Sequence, residues 1–285
     1  MDKAILKTLA YADIFDYPLK INEIHKWLIG KKANLRQMIK VLEKREYYFL
    51  PGREGLVKTR RQRARQSKIY FRKAKIIAQI LKINPWIKLV GISGGLAMEN
   101  VSRRDDIDLF VITAKNRLWI SRLLALGLLS LIGQRRKVGD LGQKVTGKIC
   151  INTLLEEDRL EQGKKDIYLA HEVLQMRPLW FRDGIYSKYL EDNSWAFKYL
   201  PNWVSQYKVS SIKYKGVKKT HYTLYSIHHT LGGILENLAK KFQLKIMKKP
   251  QGMERIEDGA LYFHPQDCRE EILAKFKLKI APLDK

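Results

Sequence analysis

Unbroken runs of apolar residues mark the middle of the chain and predict buried strands. The runs are WIKLVGIS, IDLFVIT and KICINTLL, at residues 86–93, 107–113 and 148–155. Continuous hydrophobicity of this length is typical of strands that are covered on both faces. Between the second and third runs, RLWISRLLALGLLSLIG at residues 117–133 predicts a buried core helix, because it is shorter than the roughly 20 apolar residues that span a bilayer. The pattern therefore predicts an α+β fold.

The first 57 residues predict three short helices and a hairpin. In the third helix, apolar residues follow the N-cap candidate Asn34 at i, i+3, i+4 and i+7 spacing, namely Leu35, Met38, Ile39 and Leu42. The short apolar stretches YYFL and LV flank the turn PGREG and predict the two strands of the hairpin. Three helices and a hairpin predict a winged-helix-like domain, which would either read nucleic acid with its third helix or only pack on its neighbour.

A strongly basic helix is predicted to follow and to end before Pro85. The cations that we expect to contact a nucleic-acid backbone are Arg60, Arg61, Arg63, Arg65, Lys68 and Arg72. A charge run of this kind is more often a solvated helix face, and the sequence leaves both interpretations open.

The patterns divide the chain into four predicted parts. These are a winged-helix-like domain at 1–57, a basic linker helix at 58–84, a central domain at 85–160 and a mainly helical C-terminal domain at 161–285. In the last part FHPQDC places His264, Asp267 and Cys268 together, and we interpret this stretch as a helix cap.

The charge of the chain indicates a class of partner. Lys and Arg number 55 against 29 Asp and Glu, a formal net charge of +26. Such a field favours polyanions, most often nucleic acid and sometimes acidic membranes, although a lysine-rich composition also decorates surfaces without binding anything. The 2 cysteines provide neither a disulfide framework nor a zinc set, so a cytoplasmic location is expected. The first 20 residues do not resemble a signal peptide, and no membrane span is expected.

Two carboxylates follow a glycine pair at a suggestive distance. Ser93-Gly94-Gly95 ends the first apolar run, and Asp106-Ile107-Asp108 opens the second, ten residues later. Side chains alternate along a strand, so the two aspartates point to the same side. They are either a shared site for a hard divalent cation or an ordinary polar lead-in to a buried strand.

With these motifs, residues 86–156 resemble the nucleotidyltransferase superfamily of the DNA polymerase β type. The resemblance implies a small mixed sheet with flanking helices and transfer of a nucleoside monophosphate from a nucleoside triphosphate, with release of pyrophosphate. It implies that Asp106 and Asp108 bind Mg²⁺ or Mn²⁺ and are catalytic, and that Ser93, Gly94 and Gly95 hold the nucleotide, with ATP expected. The net charge favours RNA as the acceptor.

The chain departs from the superfamily pattern at one position. Members usually supply a third carboxylate from a later strand, whereas the polar residues in and after ICINTLL are Asn152, Thr153 and Glu156. Asn152 cannot accept a proton as a carboxylate does, and Glu156 lies four residues further on. The alternative is therefore a non-catalytic nucleic-acid-binding or regulatory protein that retains the nucleotidyltransferase fold.

Overall fold

The computed structural model describes residues 1–137, 139–140, 142–205, 222–247, 255–263 and 268–283, without the side chains of 222–231. The helices in these residues are α1 (Asp2–Asp13), α2 (Ile21–Lys26), α3 (Leu35–Val41), α4 (Leu56–Leu81), α5 (Gly94–Ala97), α6 (Leu118–Leu131), α7 (Ile167–Gln175), α8 (Ile185–Asp192), α9 (Tyr222–Ile246) and α10 (Cys268–Ile280). The strands are β1 (Ile87–Ile92), β2 (Ile107–Thr113), β3 (Ile149–Glu156), β4 (Arg177–Phe181), β5 (Arg255–Glu257) and β6 (Ala260–Tyr262). Of the FHPQDC stretch, His264 and Asp267 lie outside the described residues, and Cys268 begins α10.

The N-terminal unit contains the three predicted helices, but the predicted hairpin is wrong. Asn34 caps α3 as expected, accepting a hydrogen bond from the Gln37 backbone N–H. Leu56 and Val57 form the first turn of α4 and not a strand. The backbone of Tyr48 instead exchanges hydrogen bonds of 2.9 and 2.8 Å with Leu19, so YYFL finds its partner before α2.

Helix α4 is the predicted basic helix and runs for 26 residues. Although its sequence is rich in Lys and Arg, buried residues recur every three or four positions along one side, namely Ser67, Tyr70, Ala74, Ile77, Ala78 and Leu81. This face packs on the sheet, so α4 is an integral part of the central fold.

The sheet has six strands in the order β4-β1-β2-β3-β6-β5. Only β2 and β3 run parallel among these pairs, connected through α6, and the other neighbours are antiparallel. The three apolar runs form β1, β2 and β3 as predicted. Strands β4, β5 and β6 come from the region that was expected to be a separate, mainly helical domain, so residue 160 does not mark the edge of the sheet. The chain is therefore an α+β fold with a mixed sheet and flanking helices.

Each face of the sheet has its own helical layer. Buried residues of α4, α6 and α9 pack with Leu109 and Val111 of β2. Buried residues of α1, α7, α8 and α10 pack on the opposite side with Phe110 and Ile112. Because side chains alternate along β2, Asp108 belongs to the second side, towards α1 and α7.

Helix α6 is only half buried, in contrast to the prediction of a buried core helix. Leu118, Ala125 and Leu129 lie in the core, whereas Leu124 and Leu131 are exposed. Within the described parts of the chain, no helix combines the length and apolar character needed to cross a membrane.

Candidate metal and nucleotide site

The turn after β1 lies directly against the aspartate of β2. Gly94 has φ of +57°, which an L side chain rarely adopts, and a Cβ atom placed there would lie 3.1 Å from Asp108 Oδ2. The Ser93 N–H donates to the backbone carbonyl of Asp108 at 3.2 Å. Glycine at position 94 is therefore required both by the backbone conformation and by the approach of the carboxylate. The Ser93 hydroxyl is buried and has no hydrogen-bond partner within the described structure.

Asp106 and Asp108 lie together at the start of β2. One oxygen of each carboxylate and the sulfur of Cys150 are all within 4.8 Å of one another. Arg136 Nη1 donates to Asp106 Oδ2 at 2.5 Å, so Asp106 already has a cationic neighbour. Burial, and then the charge of Asp106, raises the pKa of Asp108 to about 8. The carboxylate of Asp108 is thus held in a place where its charge is costly, and a hard cation ligated by both oxygens would offset that cost.

Cys150 is the third side chain of the cluster beside the two aspartates. In the parallel register of β2 and β3 it is the partner of Asp108. Burial and the neighbouring Asp108 raise the pKa of its thiol well above the ordinary value, so the thiol stays protonated. Mg²⁺ binds oxygen and a neutral thiol is a poor ligand for it, so the fitting donors are Asp106 and Asp108.

Of the two residues expected at the third position, Glu156 lies away from the aspartates, whereas Asn152 lines the same cavity as Asp108. Asn152 sits at a register shift of β3, and its Oδ1 is buried without a partner among the described residues. Glu156 pairs with Thr113 at the far end of β2, where it hydrogen-bonds to the backbone of Asn116 and Leu118 at the start of α6. The assignment of Glu156 to the site is therefore wrong, and Asn152 belongs to an adjoining cavity.

Aligning the starts of the two parallel strands is the signal that would have found Cys150. Ile107 and Asp108 pair with Ile149 and Cys150 in the register of β2 and β3. Cys150 was not predicted as a site residue because a cysteine among apolar residues is typical of a hydrophobic core, whereas Asn152, Thr153 and Glu156 are the polar residues of β3.

A cavity of about 240 Å³ opens beside Asp108, between the sheet, the N-terminal unit, α7 and α10. Its polar lining includes Asp108, Asn152, His171, Glu172 and Gln175, and its aromatic walls are Tyr11, Phe15, Tyr17, Trp27 and Tyr168. The glycines Gly94 and Gly95 border it as well. This cavity could not be found from the sequence, since α1 and α7 are far apart along the chain and meet only in the folded protein.

Helix α7 contributes two titratable side chains to the cavity, the buried His171 and the half-buried Glu172. Burial lowers the pKa of His171 to about 3, so its ring is neutral, and it stacks on Tyr11 with ring centroids 4.2 Å apart. Burial raises the pKa of Glu172 to about 7, against a smaller opposing effect of the hydrogen bond from Gln175. A ligand that enters the cavity therefore meets a carboxyl group that is protonated about half the time near neutral pH.

The basic residues of α4 separate into internal and exposed groups. Arg60 was expected to bind nucleic acid, and this is wrong, since it is 3% exposed and donates to Tyr17 Oη at 2.7 Å and Glu23 Oε1 at 2.9 Å. These bonds attach the N-terminal unit to α4.

Two further arginines at the start of α4 are also engaged within the protein. Arg61 forms an ion pair with Glu46, and Arg63 donates to Asn100 Oδ1. Arg65, Lys68 and Arg72 are exposed on the outer side of α4.

A scan against protein-family models and searches of curated proteins and of solved structures find no match to this chain. The site combines a carboxylate pair, a glycine turn in contact with it and a cavity of ligand size on the same side of the sheet.

Proposed function

We propose that the protein is a Mg²⁺-dependent nucleotidyltransferase that moves a nucleoside monophosphate from a nucleoside triphosphate to an acceptor hydroxyl. The observation that supports it most is the contact of Gly94 with Asp108, with Asp106 within 4.8 Å. A backbone turn without a side chain beside two carboxylates provides space for phosphates and ligands for the cation that phosphates bring.

The residues have separate tasks in this proposal. Asp106 and Asp108 would hold Mg²⁺, which supplies neutralisation of the charge that develops on the phosphate oxygens. Ser93, Gly94 and Gly95 receive the triphosphate. Arg136, which is hydrogen-bonded to Asp106, adds positive charge beside them. The acceptor oxygen forms a bond to the α-phosphorus as the bond to pyrophosphate breaks.

The cavity supports ATP as the nucleotide. Its aromatic walls suit a flat nucleobase, and its volume of about 240 Å³ is compatible with a nucleoside. The Asn152 Oδ1 atom is a buried acceptor without a partner in the described structure, and an exocyclic amino group would satisfy it. Adenine, like cytosine and guanine, presents such a group on its Watson–Crick edge, whereas uracil does not, so this atom is compatible with ATP and disfavours UTP.

The acceptor that the net charge of +26 favours is RNA. A direct test is incubation of the protein with each α-labelled nucleoside triphosphate, Mg²⁺ and total cellular RNA. Label on RNA, abolished by Asp106→Asn, supports the proposal with this acceptor. Label on the protein or on a small molecule supports transfer with another acceptor.

A second candidate function follows from Cys150. A protonated thiol neither ligates Mg²⁺ well nor takes a proton from an attacking hydroxyl, so the site supports nucleotide binding better than rapid transfer. A regulatory protein that binds ATP without transferring it would have this arrangement. Tight, Mg²⁺-dependent ATP binding with no label transferred to any acceptor would favour this second function.

A further inference from the structure

Among the side chains of α9 that the structure describes, from Gly232 onwards, Glu236 and Gln243 face inward and several large apolar residues face outward. Glu236, which is 8% exposed, accepts hydrogen bonds from the backbone N–H groups of Trp119 and Ile120 at 2.7 and 3.0 Å. Gln243, which is 4% exposed, donates to the Trp119 carbonyl and accepts from Arg122. These bonds fix the orientation of α9 on α6, so the helix cannot rotate to bury its other side without breaking them.

The outward side of α9 is strongly apolar. Its large exposed residues recur at intervals of four along one stripe, and they are Ile234, Leu238, Phe242 and Ile246, with Leu235 beside them. Leu238 is 57% exposed and Phe242 54%. A surface helix of a soluble domain normally has the opposite arrangement, with the apolar stripe towards the core.

The neighbouring helices of the same layer extend this surface. Leu124 and Leu131 of α6 are exposed, the latter at 84%. On α4, Ile69 and Ile76 are exposed seven residues apart, and Ile83 follows at the same interval. We call the exposed residues of α4, α6 and α9 the outer helix face. Apolar surface on three adjacent helices is more than scattered exposure and indicates an interaction site.

The charges on the outer helix face have one sign. The sequences of α4, α6 and α9 contain a single acidic residue, Glu236, and it is buried against α6. The exposed cations on the face are Arg65, Lys68, Arg72 and Lys75 on α4 and Lys241 and Lys245 on α9. The face therefore combines apolar side chains with cations and presents no exposed carboxylate from these helices.

We propose that the outer helix face binds the surface of an anionic lipid bilayer. Apolar side chains of interfacial helices enter the boundary between headgroups and acyl chains, while Lys and Arg contact lipid phosphates. A second copy of the chain would bring two faces of the same charge together, which opposes association. An RNA backbone would use the cations and leave the isoleucines, leucines and phenylalanine in water.

Attachment through this face leaves the candidate nucleotide site accessible. The outer helix face covers one side of the sheet, and the cavity beside Asp108 lies on the opposite side. The lipid proposal does not depend on the proposed function and applies equally to a transferase and to a regulatory protein.

The test is flotation of the full chain with vesicles of phosphatidylcholine alone and with vesicles of equal parts phosphatidylcholine and phosphatidylglycerol. We expect binding to the mixed vesicles only, weakened by added salt because the headgroup contacts are screened. The variant Leu238→Glu/Phe242→Glu should bind the mixed vesicles at least about tenfold more weakly, since two large apolar groups are lost from the interface. The matched control Ile39→Glu/Val41→Glu changes two exposed apolar residues of α3 and should bind as the wild type does.

A second pair of variants tests the charge. Replacing Arg65, Lys68 and Arg72 with Gln should weaken vesicle binding more than replacing Lys32, Lys40 and Lys44, which are exposed on the N-terminal unit. Equal losses from the two triple variants would show only an effect of net charge and would overturn the proposal. Absence of wild-type binding to the mixed vesicles would also overturn the lipid proposal. Sedimentation experiments would then show whether the face binds RNA or a second copy of the chain. Circular dichroism of each variant verifies that it is folded.

Discussion

Cys150 is the cross-strand partner of Asp108 in the parallel pair formed by β2 and β3. A thiol thus stands beside the carboxylate pair. This relationship limits what the site can do, since the two aspartates have a neighbour that neither ligates Mg²⁺ well nor accepts a proton.

Cys150→Asp should strengthen the site. A third carboxylate would raise Mg²⁺ affinity, and we expect transfer to become faster by about 10²-fold, the lower end of the 10²–10⁴-fold that a positioned base contributes. Asn152→Asp is the matched control, since it adds the same charge two residues further along β3. If Asn152→Asp accelerates transfer and Cys150→Asp does not, the third position has been assigned to the wrong residue.

Asp108→Asn should remove the effect of Mg²⁺ on ATP binding while the protein stays folded. The pKa of Asp108 is raised to about 8 from an ordinary 3.8, so the folded state favours the protonated form and loses stability as pH rises from about 4 to 8. Asparagine cannot ionise, so the metal-free variant should unfold at an equal or higher temperature than the wild type at pH 8. Calorimetric titration of ATP with and without Mg²⁺, together with thermal unfolding, measures both effects. Unfolding of the variant at room temperature would assign Asp108 a structural role.

Glu172→Gln should stabilise the protein above neutral pH and have little effect in acid. Burial raises the pKa of Glu172 to about 7 from 4.5, so the folded state pays for ionisation between those two values. The gain at pH 8 should be on the order of 2 kcal/mol and should disappear below about pH 4.5. Urea unfolding at about pH 4.5, 6 and 8, values that bracket the two pKa values, measures how the free energy of unfolding changes with pH. Glu161→Gln, at an exposed residue, serves as the control, and a gain of the same size in acid would contradict the prediction.

Arg60→Gln should destabilise the protein by about 2–4 kcal/mol, because it removes the cationic partner of Glu23 and the donor to Tyr17. Arg65→Gln, on the exposed side of the same helix, should change stability by less than about 0.5 kcal/mol. Denaturant unfolding compares the two variants. Equal, small effects would mean that Arg60 does not anchor the N-terminal unit to α4.

The sequence alone determined the elements whose signal is local. The strands β1, β2 and β3 were predicted because long apolar runs have few alternatives to a buried strand, and α4 was predicted from its basic run and from Pro85. The proximity of Gly94 to Asp108 also followed from a short connection between adjacent strands. Strands β5 and β6, of 3 residues each, are too short to carry a periodic pattern, and β4 contains Pro178, so all three were missed.

Only the tertiary structure decided which side chains meet. The register of β2 and β3 selects Cys150 as the neighbour of Asp108, because a shift of two residues along β3 would have put Asn152 there. Arg60 is buried because the N-terminal unit packs on α4, where Glu23 forms an ion pair with it. The region of α9 was predicted to be helical, but Glu236 and Gln243 face inward because α6 offers them backbone and arginine partners. Charge and periodicity in a sequence describe each segment by itself. Burial and pairing are properties of two segments in contact, so they are determined only by the folded structure.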